Sequence, residues 1–229
     1  MANRNGRRST FASVEGTCEC LLRSWATTVL CVFLLSWFFL VEMPVYAAAP
    51  TPQYQRLFYL TSEWLTLWSP FASVSHRTTA HLLENLAILG LFGWQVERHE
   101  PRHRYVLFFL LVAYVALCVE SFVTSRLLKA RVLTIGSSGG VLAVATYATV
   151  TAVPARRFFR DWYPSSFREG VVSLAHNPSV VLLVVGTVAI PATLLGDFLY
   201  PTGDVGRYAH LTGVLVGGAY GLYALWRDY

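Results

Sequence analysis

LTIGSSGGVLAVATYATVTAV, residues 133–153, is an apolar run long enough to cross a bilayer as a helix, and near its start stands Gly136-Ser137-Ser138-Gly139-Gly140. Small residues of this kind let membrane helices approach closely, so by itself Gly136-Ser137-Ser138-Gly139 is a packing face. Ser138 gains a second meaning if a base can reach it. A serine hydroxyl is a weak nucleophile at neutral pH until a neighbouring group takes its proton. What lies at the same depth in the other apolar runs therefore decides how the chain is read.

Composition places that depth inside a membrane. Hydrophobic residues make up 55% of the chain and charged residues 14%, with a mean hydropathy of +0.47, whereas a soluble domain carries about a quarter charged residues. The fold class expected is an all-α membrane protein. The net charge of +5 does not point to nucleic acid. Its basic residues are dispersed among the loops rather than gathered on a phosphate-binding face. Cys18, Cys20, Cys31 and Cys118 lack metal-ligand spacing beyond the short Cys18-Glu19-Cys20 and read as packing residues or free thiols. No phosphate-binding glycine loop, no zinc-protease His-Glu-x-x-His and no nucleic-acid motif is present, so neither a metal nor a cofactor is expected.

Six apolar runs reach the roughly 17–20 residues that a spanning helix needs: 25–41, 80–96, 105–122, 133–153, 180–199 and 208–226. Residues 1–24 are expected to form a cytoplasmic N-terminal tail, disordered over its polar part, and residues 25–229 a six-helix membrane domain. With the N-terminus inside, twelve of the 18 basic residues fall on the cytoplasmic side and six outside. The positive-inside rule then gives a multi-pass protein of the cell membrane with both termini cytoplasmic. The Arg-rich start and Ala47-Ala48-Ala49 resemble a secretory signal with its cleavage site, but the apolar core exceeds the about 7–15 residues of such signals. The first run is therefore read as a span. Outside it, the segment from Ala47 to Thr79 is expected to form short interfacial helices, with Trp64 and Trp68 in the interfacial belt. The segment from Pro154 to Pro178 is expected to be a cytosolic loop.

In that arrangement the second, fourth and sixth spans run in parallel, and their outer ends share one leaflet. His81 and Asn85, four residues apart, stack on one face of the second span. Ser138 comes about two turns into the fourth, and His210 lies in the first turn of the sixth. Ionisable groups in a membrane face a cavity or a partner. Singly, His210 with Gly213 and Gly217 is a small-residue contact face, and His81 with Asn85 an interhelical pair. Jointly they supply a nucleophile in Ser138, a base in His210, and oxyanion donors in the Ser138 backbone N–H, His81 and Asn85. Gly136 and Gly139 let another backbone approach the serine. No acidic residue stands out as a third member: Asp197 and Asp204 read as loop residues, so a Ser-His dyad is expected.

These residues resemble the rhomboid family of intramembrane serine proteases over about Trp64 to Gly221. The family's Gly-x-Ser-Gly corresponds to Gly136 to Gly139, its His-x-x-Gly-x-x-x-Gly to His210, Gly213 and Gly217, and its His-x-x-x-x-His-x-x-x-Asn to His76, His81 and Asn85. Ser69-Pro70-Phe71, Leu82-Leu83-Glu84-Asn85-Leu86 and Glu97-Arg98 also look like the family. The resemblance implies a six-transmembrane-helix bundle, a Ser138–His210 endopeptidase acting through an acyl-enzyme, with His76 as site support, and substrates that are transmembrane segments of other proteins, reached between the second and fifth spans. A bend at Pro191 in the fifth would assist that access. The alternative is a catalytically silent relative that binds membrane helices without cutting them. Three departures stand out: the first outer loop lacks a clear Trp-Arg pair, Leu142 replaces the aromatic expected four residues after the serine, and Glu84 occupies a commonly small position where a pair or water contact in the bundle is its expected role. The oligomeric state is open.

Overall fold

Five of the six expected apolar runs are helical throughout, and the run at 133–153 is helical only from Ser138. The computed structural model describes residues 25–49, 51–60, 69–129, 133–152, 166, 177–200 and 206–227. The expected N-terminal tail with Cys18 and Cys20, Trp64 and Trp68, Asp204 and nearly all of the expected cytosolic loop lie outside these residues. In chain order the helices are α1 (Trp25–Ala48), α2 (Thr51–Phe58), α3 (Ser69–Ala72), α4 (Thr79–His99), α5 (Arg102–Leu127), α6 (Ser138–Thr151), α7 (Pro178–Leu199) and α8 (Arg207–Arg227). No strand is named among the described residues. A single antiparallel bridge joins Leu60 to Thr134.

Three of these helices, α1, α5 and α7, are long and apolar enough to cross a membrane, with mean hydropathies of 2.1, 2.5 and 2.2. Their exposed Leu, Val and Phe side chains form the kind of surface that lipid covers. Helix α1 runs past the expected boundary at Val41 through a π-helical turn at Phe38–Glu42. Pro44 follows in the first turn after it, where a missing N–H is tolerated. The expected short helices of the outer segment appear as α2 and α3. Two caps set helix starts: the Thr78 hydroxyl accepts from the His81 N–H, and Asn177 Oδ1 accepts from the Val180 N–H, with Pro178 next in sequence. Pro191 stands inside α7, which remains helical through it.

Helix α6 is the centre of the bundle. Its residues from Gly139 to Ala148 are buried without interruption, so its sequence shows no amphipathic stripe. Helix α8 lies against it through glycine. A Cβ at Gly213 would meet the Gly139 carbonyl, and one at Gly217 the Ala143 carbonyl. On the other side Gly140 lies against Phe109 O and Ala113 of α5, with a Cβ distance of 2.8 Å to that oxygen. Helix α7 reaches α6 where Gly186 meets Thr149. At 14 residues, α6 is about 21 Å long and shorter than the ~30 Å hydrocarbon core. Its serine end and its far end therefore cannot both reach the lipid surface.

Buried carboxylates fasten the helix ends. Glu97 of α4 accepts from the first-turn N–H groups of Ala26 and Thr27 at 3.1 and 2.9 Å, and from the Thr27 hydroxyl at 2.7 Å. Glu120 of α5 accepts from the N–H groups of Tyr208 and Ala209 at 2.6 and 2.9 Å, at the start of α8. Glu100 receives the Tyr147 hydroxyl at 3.1 Å and Arg227 at 3.2 Å. A negative charge at a helix N-terminus meets unsatisfied donors and the positive end of the dipole.

Because a side chain at Gly217 must push α8 off the Ala143 carbonyl, Gly217→Val should lower stability by about 1–3 kcal/mol. Gly90→Ala, where a Cβ meets nothing within 4 Å, should leave stability equal or raised by up to about 1 kcal/mol. Thermal unfolding in detergent checks the pair.

Candidate active site

Helices α4, α6 and α8 bring their first turns together. The chain enters α6 in extended form, held where Thr134 and Leu60 exchange backbone hydrogen bonds of 2.9 and 3.1 Å and where the Gly136 N–H donates to Ala72 O at 2.9 Å. Gly136 has a φ of +124°, which side-chain-bearing residues rarely adopt. A Cβ there would stand 2.8 Å from Cε1 of His81, so the glycine also makes room for that ring. Ser138 is the first helical residue, not two turns into a span as the sequence suggests. The turn at Gly136 and Ser137 stops the helix from starting earlier. The Ser138 N–H therefore falls among the helix's unpaired first donors, at the positive end of its dipole.

Two serine–histidine pairs sit side by side. Ser138 Oγ lies 2.8 Å from His210 Nε2, and both residues are partly exposed. Ser137 Oγ lies 3.1 Å from His76 Nε2, and both residues are 0% exposed. Both hydroxyls have an imidazole, but solvent can reach one pair and not the other. His76 is held in turn by Glu42 of α1, whose carboxylate accepts from the His76 backbone N–H at 2.9 and 3.1 Å and from the Tyr54 hydroxyl at 2.8 Å. Trp37 of α1 stacks on Phe71 with ring centres 4.9 Å apart and donates its indole N–H to Ser75 Oγ at 2.9 Å. The loop before α4 is thus fixed to α1 by a carboxylate and an aromatic stack.

His210 is held at its second ring nitrogen as well. Nδ1 lies 2.7 Å from Asp197 Oδ2, and the two side chains are 13% and 11% exposed. Asp197 is not a loop residue as the sequence suggested: it stands in the last turn of α7. Where the resemblance leads one to expect an aromatic ring against the base, Leu142 is buried in the core. His210 is oriented instead by hydrogen bonds at both nitrogens.

On α4, His81 lies against Gly136 with its ring centre 5.3 Å from that of His76. Asn85 is 3% exposed, and its Nδ2 has no hydrogen-bond partner among the described residues. A buried amide left without an acceptor is unusual and marks a place where one is expected. Glu84 is exposed rather than paired inside the bundle. Gly139 takes Ala116 Cβ and the Ala209 carbonyl against its bare face, with Cβ distances of 2.5 and 3.0 Å, and Gly213 packs on Gly139 from α8. Cys31 and Cys118 are free and half-buried. Among the described residues no group of three His, Cys, Asp or Glu side chains is placed to hold a metal ion.

The family model of the Rhomboid domain matches residues 61–227. The chain belongs to the rhomboid family. None of the curated proteins compared with it matches. The matched stretch contains His76, His81, Asn85, Ser138, Asp197 and His210. It leaves α1 and α2 outside, and with them Glu42, Tyr54 and Trp37, so part of what anchors the His76 loop in this rhomboid lies beyond the family domain.

Sequence reasoning missed two contacts, the Ser137–His76 bond and the Asp197–His210 bond. The signal for the second was present: an acidic residue inside an apolar run, near the end shared with His210, needs a partner. The signal for the first was weaker, because a loop histidine and a serine sixty-one residues apart carry no shared period.

Burial first, and the neighbouring His81 second, push the His76 imidazole down to about 3. The unfolded chain takes up that proton below about 6.5, whereas the folded chain does so only near the lowered value. Stability therefore rises with pH across this window and is lost as pH falls through it. His76→Gln should flatten the fall in unfolding temperature between pH 6.5 and 4 relative to the wild type, measured in detergent. Parallel profiles for the two proteins would contradict this account.

Proposed function

We propose that this rhomboid is an intramembrane serine endopeptidase that cleaves transmembrane segments of other membrane proteins through an acyl-enzyme on Ser138. The observation that carries the proposal is the 2.8 Å approach of Ser138 Oγ to His210 Nε2 in a partly exposed position, beside a second serine–histidine pair that is sealed. In this reading six helices, α1 and α4 to α8, cross the cell membrane with both termini cytoplasmic. The site then opens towards the outer face, below the headgroups.

The chemistry follows from the atoms present. As Ser138 Oγ attacks the scissile carbonyl carbon, His210 Nε2 takes the hydroxyl proton. Negative charge gathers on the former carbonyl oxygen. The Ser138 N–H, the unpartnered Asn85 amide and the His81 ring are the donors for it, and preorganised donors of this kind are each worth about 3 kcal/mol of barrier. Collapse of the intermediate breaks the C–N bond, and His210 returns its proton to the leaving nitrogen. A water then attacks the ester with His210 again as base, which frees the second product and restores Ser138. Every group that moves a proton belongs to the chain, so the reaction needs no cofactor.

Purified protein in detergent or liposomes, given a fluorophosphonate and a transmembrane reporter, tests this. The wild type and Ser137→Ala should label and cut. Ser138→Ala should do neither, and His210→Ala should lose cleavage by about 10⁴-fold or more. A label that survives Ser138→Ala would refute the assignment. A wild type that binds the reporter without cutting or labelling would make the protein a helix-binding relative instead.

A further inference from the structure

Asp197 stands where two rules disfavour a carboxylate. It occupies the last turn of α7, three residues before Tyr200 closes the helix. Exposed carbonyl groups there make the helix end negative, so an acidic side chain is repelled rather than stabilised. It also lies in one of the helices that are long and apolar enough to span the bilayer, where an ionised group needs a partner. The other buried acids described are held by structural donors: Glu97 and Glu120 meet the N-termini of other helices, and Glu42 and Glu100 collect hydroxyl, amide or guanidinium donors. Asp197 meets the His210 imidazole at 2.7 Å, nearly buried with it. A carboxylate in a disfavoured position whose partner is the histidine beside Ser138, rather than a helix end or a structural donor, points to function more than to folding.

We propose that Asp197 is the positioning residue of the Ser138–His210 pair, fixing the tautomer and the orientation of the imidazole; this rests on the proteolytic reading above. A neutral imidazole has one N–H and one lone pair. A carboxylate accepts only, so with Asp197 at Nδ1 the proton stays on Nδ1 and the lone pair of Nε2 faces the Ser138 hydroxyl. When Nε2 takes the serine proton, the imidazolium forms against a negative charge already in place, which needs no rearrangement at the moment of reaction. The carboxylate keeps its charge throughout, and no proton passes to it.

Among the described residues the other titratable groups around His210 do not fill this role. Glu120 of α5 acts on His210 through space, with Arg207 of α8 beside it. Its carboxylate is already bonded to the N–H groups of Tyr208 and Ala209. His81 of α4 also lies within electrostatic reach. It carries no negative charge that could hold an Nδ1 proton.

The arrangement has a consequence for α7. His210 sits on α8 and Ser138 on α6, while the group that orients the base comes from a third helix. The position of α7 therefore enters the geometry of the base directly.

The test is a kinetic series on the full-length protein in detergent with the same transmembrane reporter, joined to a spectroscopic one. Asp197→Asn should lower kcat by about 10²–10⁴-fold with KM within about twofold of wild type. Asp197→Glu, which keeps the charge, should restore part of that loss. Added to His210→Ala, Asp197→Asn should produce no further fall, because it acts through the ring that has gone. In histidine-labelled wild type a proton bonded to the His210 Nδ1 should resonate downfield of the amide envelope, and Asp197→Asn should abolish it.

Wild-type kcat in Asp197→Asn would overturn the proposal. So would a loss carried wholly by KM, or one that adds in full to His210→Ala. A wild type that cuts nothing is a failure of the proteolytic reading. The resonance then decides the Asp197 bond by itself, and its absence from folded wild type overturns that bond.

Discussion

Contact between α6 and α8 without side chains in between is the constraint on which the rest of the structure depends. Gly213 sits on the Gly139 carbonyl and Gly217 on the Ala143 carbonyl. In a bilayer, lipid tails are as apolar as leucine, so helices gain from association mainly by packing closely and pairing polar groups. Glycine on one helix against backbone on the other gives the shortest separation available. At that separation a histidine one turn above Gly213 reaches a serine at the start of α6. A bulkier contact face would move His210 away from Ser138 even if both residues were kept.

The second organising element is the placement of buried carboxylates. Each of Glu42, Glu97, Glu100 and Glu120 is held by donors from another part of the chain. In a low dielectric an unpaired carboxylate is strongly disfavoured, whereas one that collects two or three donors ties distant segments to a single point. Glu120 fixes the height at which α8 begins, and so the height of His210. Glu42 fixes the backbone of His76, whose ring in turn holds Ser137 next to Ser138. The order of the site is thus set by acids that never touch the serine hydroxyl.

Adjacent serines with different fates follow from this. Ser137 and Ser138 have the same side chain and each has an imidazole at about 3 Å. Ser137 is the residue before the helix and faces inward to the loop that α1 supports. Ser138 is the first helical residue and faces α8. One rotation of the backbone at the turn after Gly136 separates a sealed serine–histidine bond from a partly exposed one.

The sequence by itself determined the membrane environment, the helical class and the meeting of Ser138 with His210. Charge content, apolar runs and small-residue spacing report directly on burial in lipid and on the period of a helix, which are local properties. His81, Asn85, Ser138 and His210 stood out in the sequence because each carries polarity in an apolar run and the three runs that hold them are read as parallel. Tertiary structure alone decided where α6 starts, since the turn at Gly136 is held by Leu60 and Ala72 and by the His81 ring, all distant in sequence. It alone decided that His76 belongs to Ser137 and that Asp197 reaches His210 from α7. Those pairings depend on helix height and rotation, which arise from glycine contacts and carboxylate clamps between segments and leave no period in the chain.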